Sequence, residues 1–156
     1  LIGFRGSHPL AELATFWLKY LKQNVTFLPS GWMTFAEDAI DMAPGDTVFA
    51  IGLRRRASAF RSLLQNAHEQ GAAILLLTDL SASLSARYAD VVVRCHNRST
   101  TIYDSLASAI SMINFLRGAL ALRQGEEVRG RLERIEALAD RLDTIGAPPP
   151  PRHAKA

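Results

Sequence analysis

The sequence predicts an α/β protein: a three-layer sandwich in which helices cover both faces of a five-stranded parallel sheet. Two observations predict this class. Short apolar runs alternate with helical patterns at close intervals, and several of these runs are apolar throughout. Strands of a parallel sheet have this composition because helices bury both of their faces. With 156 residues, 48% of them hydrophobic, the chain is long enough for one core and too short for two full domains.

Five segments fit the strand pattern. The first ends at Leu1-Ile2, and a strand of ordinary length, about five residues, would have to begin before residue 1. We therefore expect the chain to be a fragment of a longer protein. The other predicted strands are residues 25–28, 48–51, 73–77 and 91–94.

Helical patterns fill the intervals between the strands. The first helix begins at Ser7 or His8 with Pro9 in its first turn, where a proline costs the helix no hydrogen bond. Gly71 is expected to end the helix after the third strand, since glycine easily adopts the left-handed conformation of a helix end. The other predicted helices span residues 32–42, 57–70, 102–122 and 125–145.

The last two helices suggest a partner subunit. Residues 102–122 are apolar nearly all round, so one side is expected to rest on the sheet and the other on a second copy. In residues 125–145, an apolar stripe from Val128 to Leu142 fits packing on its own domain as well as packing across a dimer. The proline-rich residues 146–156 are expected to form a disordered tail.

Composition excludes several classes of function. Lysine and arginine number 18 against 15 acidic residues, and the net charge of +3 is too small for a surface that binds nucleic acid throughout. Cys95 is the single cysteine, so no internal disulfide forms, and without a secretory pattern the protein is expected in the cytoplasm. No apolar run approaches the roughly 20 residues that span a bilayer. The separated histidines show no metal-ligand spacing, and no metal or cofactor is predicted.

The strongest functional signal is an apolar strand that ends in Gly52-Leu53 and then three consecutive arginines, Arg54, Arg55 and Arg56. In open parallel sheets, ligands bind beyond the carboxyl ends of the strands, where the amides of the next helix also point. The pattern predicts a site for a small anion at this edge. A solvated basic turn explains the same residues without a ligand.

Three segments follow one another in an informative order. They are the Gly-x-Arg-x-Ser turn at residues 3–7, the turn at residues 44–46 with its strand and the Arg54-Arg55 pair, and residues 71–79 with residues 89–91 and 103–105. Together they resemble the SIS (sugar isomerase) domain, specifically the C-terminal effector domain of RpiR-type transcriptional regulators. The resemblance covers residues 1–124 and implies the flavodoxin-like SIS fold.

The resemblance also implies where a ligand would bind. The family's usual second loop holds a sugar phosphate with serine and threonine hydroxyls, and here Gly52, Arg54, Arg55 and Ala57 occupy those places. Arginine can replace the hydroxyls because its guanidinium pairs with a phosphate or carboxylate through two hydrogen bonds. The ligand-binding residues implied are Arg5, Ser7, His8, Gly52, Arg54, Arg55, Ser58, Thr78 and Asp104.

The function implied is ligand sensing and dimerisation in a transcriptional regulator, with a sugar phosphate or another small anionic metabolite as the ligand and no catalytic residue. A helix-turn-helix upstream of residue 1 would contact DNA. Two alternatives stay open. The same fold serves aldose-ketose isomerases, for which His8 is the best candidate base, although no converging Glu/His pair is evident in the sequence. The domain also fits a dimerisation module whose pocket binds nothing.

Overall fold

The computed structural model describes residues 1–28 and 34–142. Within these residues the chain forms a parallel sheet with helices on both faces, which confirms the predicted α/β class. All neighbouring strands are parallel, so their carboxyl ends share one edge of the sheet. The strands, in their order across the sheet, are β1 (Ile2–Gly3), β2 (Thr47–Gly52), β3 (Ala73–Thr78) and β4 (Val91–Arg94).

The prediction of five strands is wrong for the part of the chain that the structure describes, which contains four. Residues 25–28 run beside β1 but form only one parallel bridge, between Leu28 and Ile2. The Leu28 N–H donates to the Leu1 carbonyl oxygen at 2.7 Å, and the Leu1 amino group donates to the Thr26 carbonyl oxygen at 2.6 Å. Since β1 has only two residues, it offers too few backbone partners for a longer ladder.

Helices occupy the predicted intervals, with one large shift. The predicted helix 102–122 begins only at Ala107, because hydroxyl groups hold the preceding residues in turns. Thr101 Oγ1 accepts the Tyr103 N–H at 3.3 Å, and Ser99 Oγ accepts the Thr101 N–H at 3.1 Å, an alternative to helical bonding. The helices are α1 (His8–Lys19), α2 (Phe35–Ala39), α3 (Ser58–Glu69), α4 (Ala107–Gln124) and α5 (Glu126–Arg141), with 3-10 helices at Arg5–Ser7 and Ser85–Tyr88.

The core has one layer on each side of the sheet. Successive side chains of β2 point alternately into the two layers. Val48 and Ala50 pack in the cluster that contains Phe60 of α3. Phe49 and Ile51 point to the opposite face, where they pack with residues of α1 and α4. Since α1 follows β1 and α3 follows β2, both helices begin at the carboxyl edge of the sheet, on opposite faces.

The C-terminal helix α5 packs on its own domain at its start. Val128 is buried, and the Arg131 guanidinium donates two hydrogen bonds, of 2.9 and 2.7 Å, to the carbonyl oxygen of Lys19 at the end of α1. The other members of the predicted stripe are less covered: Leu132, Ile135 and Ala139 are half-buried, and Leu142 is exposed. The start of the stripe therefore packs within the subunit. The predicted tail at residues 146–156 lies outside the described residues.

Candidate functional site

The candidate site lies at the carboxyl edge, where loops follow β1, β2 and β3. The chain leaves β1 through α1 and leaves β2 through α3, on opposite faces of the sheet, which opens a crevice between the two loops. One hydrogen bond of 3.0 Å joins them, from the Leu53 N–H to Ser7 Oγ. Arg5 and Arg55 flank this bond with positive φ values of 54° and 67°. Such backbone strain concentrates at functional sites.

The side chains of Arg5, Arg54 and Arg55 are exposed at this crevice. None of the three makes a hydrogen bond or ion pair with another residue in ranges 1–28 and 34–142. No acidic side chain of these ranges therefore forms an ion pair with their positive charges. Guanidinium groups held at a sheet edge in this state can pair with the oxygens of a phosphate or carboxylate.

Arg56 behaves differently, and sequence reasoning missed its role. Its Nη1 donates to Asp79 Oδ2 at 2.9 Å and to the Gly52 carbonyl oxygen at 3.1 Å, and its Nη2 donates to Ser81 Oγ at 2.9 Å. The parallel register places Gly52 opposite Thr78, so the residues just beyond these two strand ends come together. A parallel register that aligns the ends of β2 and β3, together with an acid directly after β3, could have predicted this contact. Arg56 ties the β2 loop to the β3 loop.

The Asp79 side chain is only 4% exposed, so its protonation state depends on its partners. Burial alone raises the pKa of this carboxyl. The hydrogen bonds from the hydroxyl and N–H of Ser81, together with the charge and hydrogen bond of Arg56, outweigh burial and lower the pKa below its ordinary value. Asp79 is therefore an ionised partner of Arg56.

Three of the predicted ligand-binding residues are buried and already bonded. Ser7 Oγ accepts the Leu53 N–H and does not cap α1. The Thr78 hydroxyl donates to the Gly52 carbonyl oxygen at 2.6 Å. Gly52 lies against the Phe60 ring, since an added Cβ would stand 2.4 Å from the ring carbon Cζ. These three residues hold the sheet edge in shape.

The remaining predicted residues are accessible. Ser58 is the first residue of α3 and is exposed, and Asp104 is exposed in the loop before α4. His8 Nε2 lies 3.5 Å from Glu12 Oε1, and both side chains are about half exposed, at 43% and 58%. Sequence reasoning missed this His/Glu pair, although the spacing of four residues on one helix was a sufficient signal.

Two further properties bear on the class of protein. Across residues 1–28 and 34–142, no group of three or more histidine, cysteine, aspartate or glutamate side chains is arranged to hold a metal ion. No helix of the same residues is long and apolar enough to cross a membrane.

The four parallel strands, with helices packed on both faces, define an open α/β sandwich. The chain belongs to the SIS domain family, because residues 1–117 match the model of that family. This confirms the resemblance noted in the sequence. A comparison with curated proteins gave no match.

Solved structures agree with this assignment. The sugar isomerase domain of an RpiR transcription factor from Sphaerobacter thermophilus superposes with a TM-score of 0.80 at 26% identity, over 87% of this chain and 76% of that one. The NanR protein of Vibrio vulnificus, solved in complex with ManNAc-6P, gives a TM-score of 0.76 at 14% identity, over 94% of this chain and 55% of that one.

For a third structure with a similar fold, an enzymatic function was inferred. It is a hypothetical protein from Methanococcus jannaschii for which a 3-hexulose-6-phosphate isomerase function was inferred. Its TM-score is 0.66 at 12% identity, over 83% of this chain and 73% of that one. At this identity the likeness concerns the fold alone, and activity has to be argued from the site.

Proposed function

We propose that this chain is the ligand-sensing and dimerising part of a transcriptional regulator, and that it binds a phosphorylated sugar or another small anionic metabolite. The observation that carries the proposal is the group of three arginines, Arg5, Arg54 and Arg55, which have no partner among the described residues and lie at the crevice of a SIS domain. The likeness to a domain of an RpiR transcription factor at 26% identity supports the regulatory role. The neighbour NanR, which was solved with a sugar phosphate, supports the ligand class.

The proposed mechanism is a shift between dimer geometries. Phe115 and Leu122 on α4 are 67% and 87% exposed, and we infer that a second copy covers this face. A ligand that pairs with Arg54 and Arg55 favours one arrangement of the two copies over another. That arrangement sets the spacing of DNA-reading helices carried by a part of the regulator outside this chain.

Calorimetric titration with a panel of sugar phosphates tests the proposal, with ManNAc-6P and glucose 6-phosphate included and the unphosphorylated sugars as ligand controls. Arg54→Ala or Arg55→Ala should each weaken the best ligand about tenfold or more, since a hydrogen bond to a charged group contributes roughly 1.5–3 kcal/mol. Arg87→Ala, which removes an exposed arginine elsewhere, is the matched control. A ligand whose affinity survives both substitutions argues against the arginine site.

Two results would favour the alternatives. If no anionic metabolite binds while the protein still dimerises, the domain is a dimerisation module. The isomerase alternative gains support from the His8 and Glu12 side chains, which lie 3.5 Å apart near the crevice and can move a proton. Sugar-phosphate interconversion followed by NMR, and lost in His8→Ala, would replace the regulatory proposal with an enzymatic one.

A further inference from the structure

A groove lined by aromatic side chains lies between α1, α4 and α5, at the end of α1 that points away from the crevice. We call it the aromatic groove. Its volume of about 510 Å³ falls within the range of sites that enclose a small ligand or a short peptide segment. Residues that line it include Phe16, Trp17, Tyr20, Arg117, Gly118 and Leu132.

Two contacts between helices hold the walls of the aromatic groove in place. The guanidinium carbon of Arg117 lies 4.6 Å from the centre of the Trp17 ring, a cation–π contact that joins α4 to α1. Arg131 of α5 donates hydrogen bonds of 2.9 and 2.7 Å to the Lys19 carbonyl oxygen at the end of α1. The groove is therefore formed before an occupant arrives, which lowers the entropic cost of binding.

The aromatic side chains of the groove can still make contacts. Phe16 is 55% exposed, and its ring packs edge-on against the Tyr20 ring, with 5.2 Å between the ring centres. The indole N–H of Trp17 and the hydroxyl of Tyr20 make no hydrogen bond within residues 1–28 and 34–142. Proline-rich segments dock on such surfaces, because their rings pack on aromatic faces and no internal hydrogen bond satisfies their carbonyl oxygens.

Gly118 gives an independent indication that a chain segment occupies the groove. It lies in the interior of α4, where glycine lowers helix stability relative to alanine. No atom of the described residues lies within 4 Å of a Cβ added at this position, so packing inside the domain does not require a glycine. A glycine in the wall of a groove allows another backbone to approach the helix closely.

The chain itself carries a segment of matching chemistry, since residues 148–151 are four consecutive prolines. Leu132 in the groove lies ten residues before Leu142, which corresponds to about 15 Å along α5. The six residues from 142 to 148 can span up to about 20 Å. The prolines can therefore return to the groove, and the short connection holds them near it at a roughly millimolar effective concentration.

We propose that residues 148–151 dock in the aromatic groove of their own subunit as a polyproline II segment. The proline rings pack on Phe16 and Trp17, and the backbone passes close to Gly118. The carbonyl oxygens accept hydrogen bonds from the Trp17 indole N–H and the Tyr20 hydroxyl. The proposal does not depend on the function proposed for the crevice.

NMR relaxation of the ¹⁵N-labelled full chain tests the proposal at the amide of Ala147, directly before the prolines. We expect its order parameter to exceed about 0.6 in the unmodified protein and to fall below about 0.6 when all four prolines are replaced by serine. The Trp17 indole N–H signal should shift between these two proteins. The matched control replaces residues 152–155 by four serines, and it should leave both the Ala147 amide and the Trp17 signal unchanged.

Gly118→Leu tests the groove from its other side, because the new side chain fills the space that the prolines need. It should lower the order parameter of Ala147 to the value found in the four-serine protein. Gly130→Leu is the matched control, since Gly130 also lies within a helix with nothing within 4 Å of an added Cβ but does not line the groove. Neither new side chain meets a described neighbour at its Cβ, so both proteins should fold, which urea denaturation checks.

The proposal is overturned if the order parameter of Ala147 is as low in the unmodified protein as in the four-serine protein, or if Gly118→Leu and Gly130→Leu leave it equally high. A mixture of ¹⁵N-labelled four-serine protein with unlabelled unmodified protein tests a second copy as the source of the segment. The Trp17 signal of the labelled chain should stay where it is. Its return to the position of the unmodified protein would show that the prolines of another copy fill the groove, and the proposal would be wrong.

Discussion

The three arginines that follow β2 lie in two contrasting environments. Arg56 is 18% exposed, and its charge meets the buried carboxylate of Asp79 on the β3 side. Arg54 and Arg55 are exposed, without a partner in the described ranges. The register between β2 and β3 decides the difference, since it places an acid within reach of Arg56 alone. An arginine paired with a buried acid, such as Arg56, has a structural role, whereas an exposed arginine without a partner is available to bind a ligand.

The two gaps beside β2 differ in the same way. On the β3 side, Arg56, Asp79 and Ser81 form a closed hydrogen-bonded network. On the β1 side, a single bond between Leu53 and Ser7 joins the loops. The closed side can therefore support a site at the open side without moving when a ligand arrives, which is the arrangement that pre-organised binding requires.

Asp79→Asn should produce the largest effect, because it breaks the closed side. The Arg56 guanidinium would then face a neutral amide at a buried position. We expect the free energy of unfolding, measured by urea denaturation, to fall by about 3 kcal/mol. Arg54→Ala is the control on the open side and should change it by no more than about 0.5 kcal/mol. Equal effects of the two substitutions would mean that the Arg56-Asp79 pair does not hold the edge.

Acid should weaken the same pair, with a somewhat smaller effect. Burial raises the pKa of Asp79, but the Ser81 hydrogen bonds and the Arg56 charge lower it by more than burial raises it. The pKa of the folded protein therefore lies below the ordinary value of 3.8. A carboxyl with a lowered folded pKa contributes stability above its unfolded pKa and loses it as pH falls through the folded value.

The urea midpoint of the unmodified protein should therefore fall as the pH drops below about 4, the unfolded pKa of an aspartate. The Asp79→Asn protein has no proton to take up at this position, so its midpoint should depend less on pH over the same interval. Parallel curves for the two proteins would show that Asp79 does not contribute to the acid response.

Gly52→Ala tests the packing of the end of β2 against Phe60, directly before the three arginines. The new Cβ would stand 2.4 Å from the Phe60 ring, so the ring or the strand end must shift. We expect a loss of about 2 kcal/mol in urea denaturation. Combining it with Phe60→Leu should cost less than the sum of the two single changes, since a smaller side chain leaves room.

Gly6→Ala is the matched control for Gly52→Ala. Gly6 lies in the neighbouring loop, and nothing stands within 4 Å of its added Cβ. Its substitution should leave stability nearly unchanged. If Gly52→Ala is equally mild, the contact with Phe60 is not what requires a glycine at the end of β2.

The fold was largely predictable because it depends on periodicity. The continuous apolar runs gave β2, β3 and β4 within a residue or two, and the helices between them followed. The prediction of a strand at residues 25–28 was wrong because its partner β1 is too short. The length of a partner strand leaves no signal in residues 25–28 themselves. The start of α4 failed because Ser99 and Thr101 hydroxyls compete for backbone groups that the apolar pattern ignores.

The candidate site was predictable in position and only partly in detail. The strand-end rule placed the site at the edge where Arg54 and Arg55 are exposed. It could not show that the Ser7 and Thr78 hydroxyls are already bonded to Leu53 and Gly52, since those contacts join residues far apart in sequence. The Arg56-Asp79 pair was not predicted for the same reason. The register between β2 and β3 explains it once the structure is known.

Arg55→Gly should give the smallest effect and sharpen the comparison within the open side. Arg55 has a φ of 67°, a conformation that costs a non-glycine residue roughly 1–2 kcal/mol. Glycine removes that cost but gains freedom in the unfolded chain, so we expect Arg55→Gly to be about 0.5 kcal/mol more stable than Arg55→Ala.

The same pair of substitutions at position 54 should give the opposite sign, because Arg54 is not among the described residues with positive φ. There glycine brings only the entropic cost, and Arg54→Gly should be less stable than Arg54→Ala in urea denaturation. Both changes at position 55 remove the guanidinium, so both should weaken sugar-phosphate binding alike. If Arg55→Gly is no more stable than Arg55→Ala, the backbone at Arg55 stores no strain, and only its charge distinguishes the open side from the closed one.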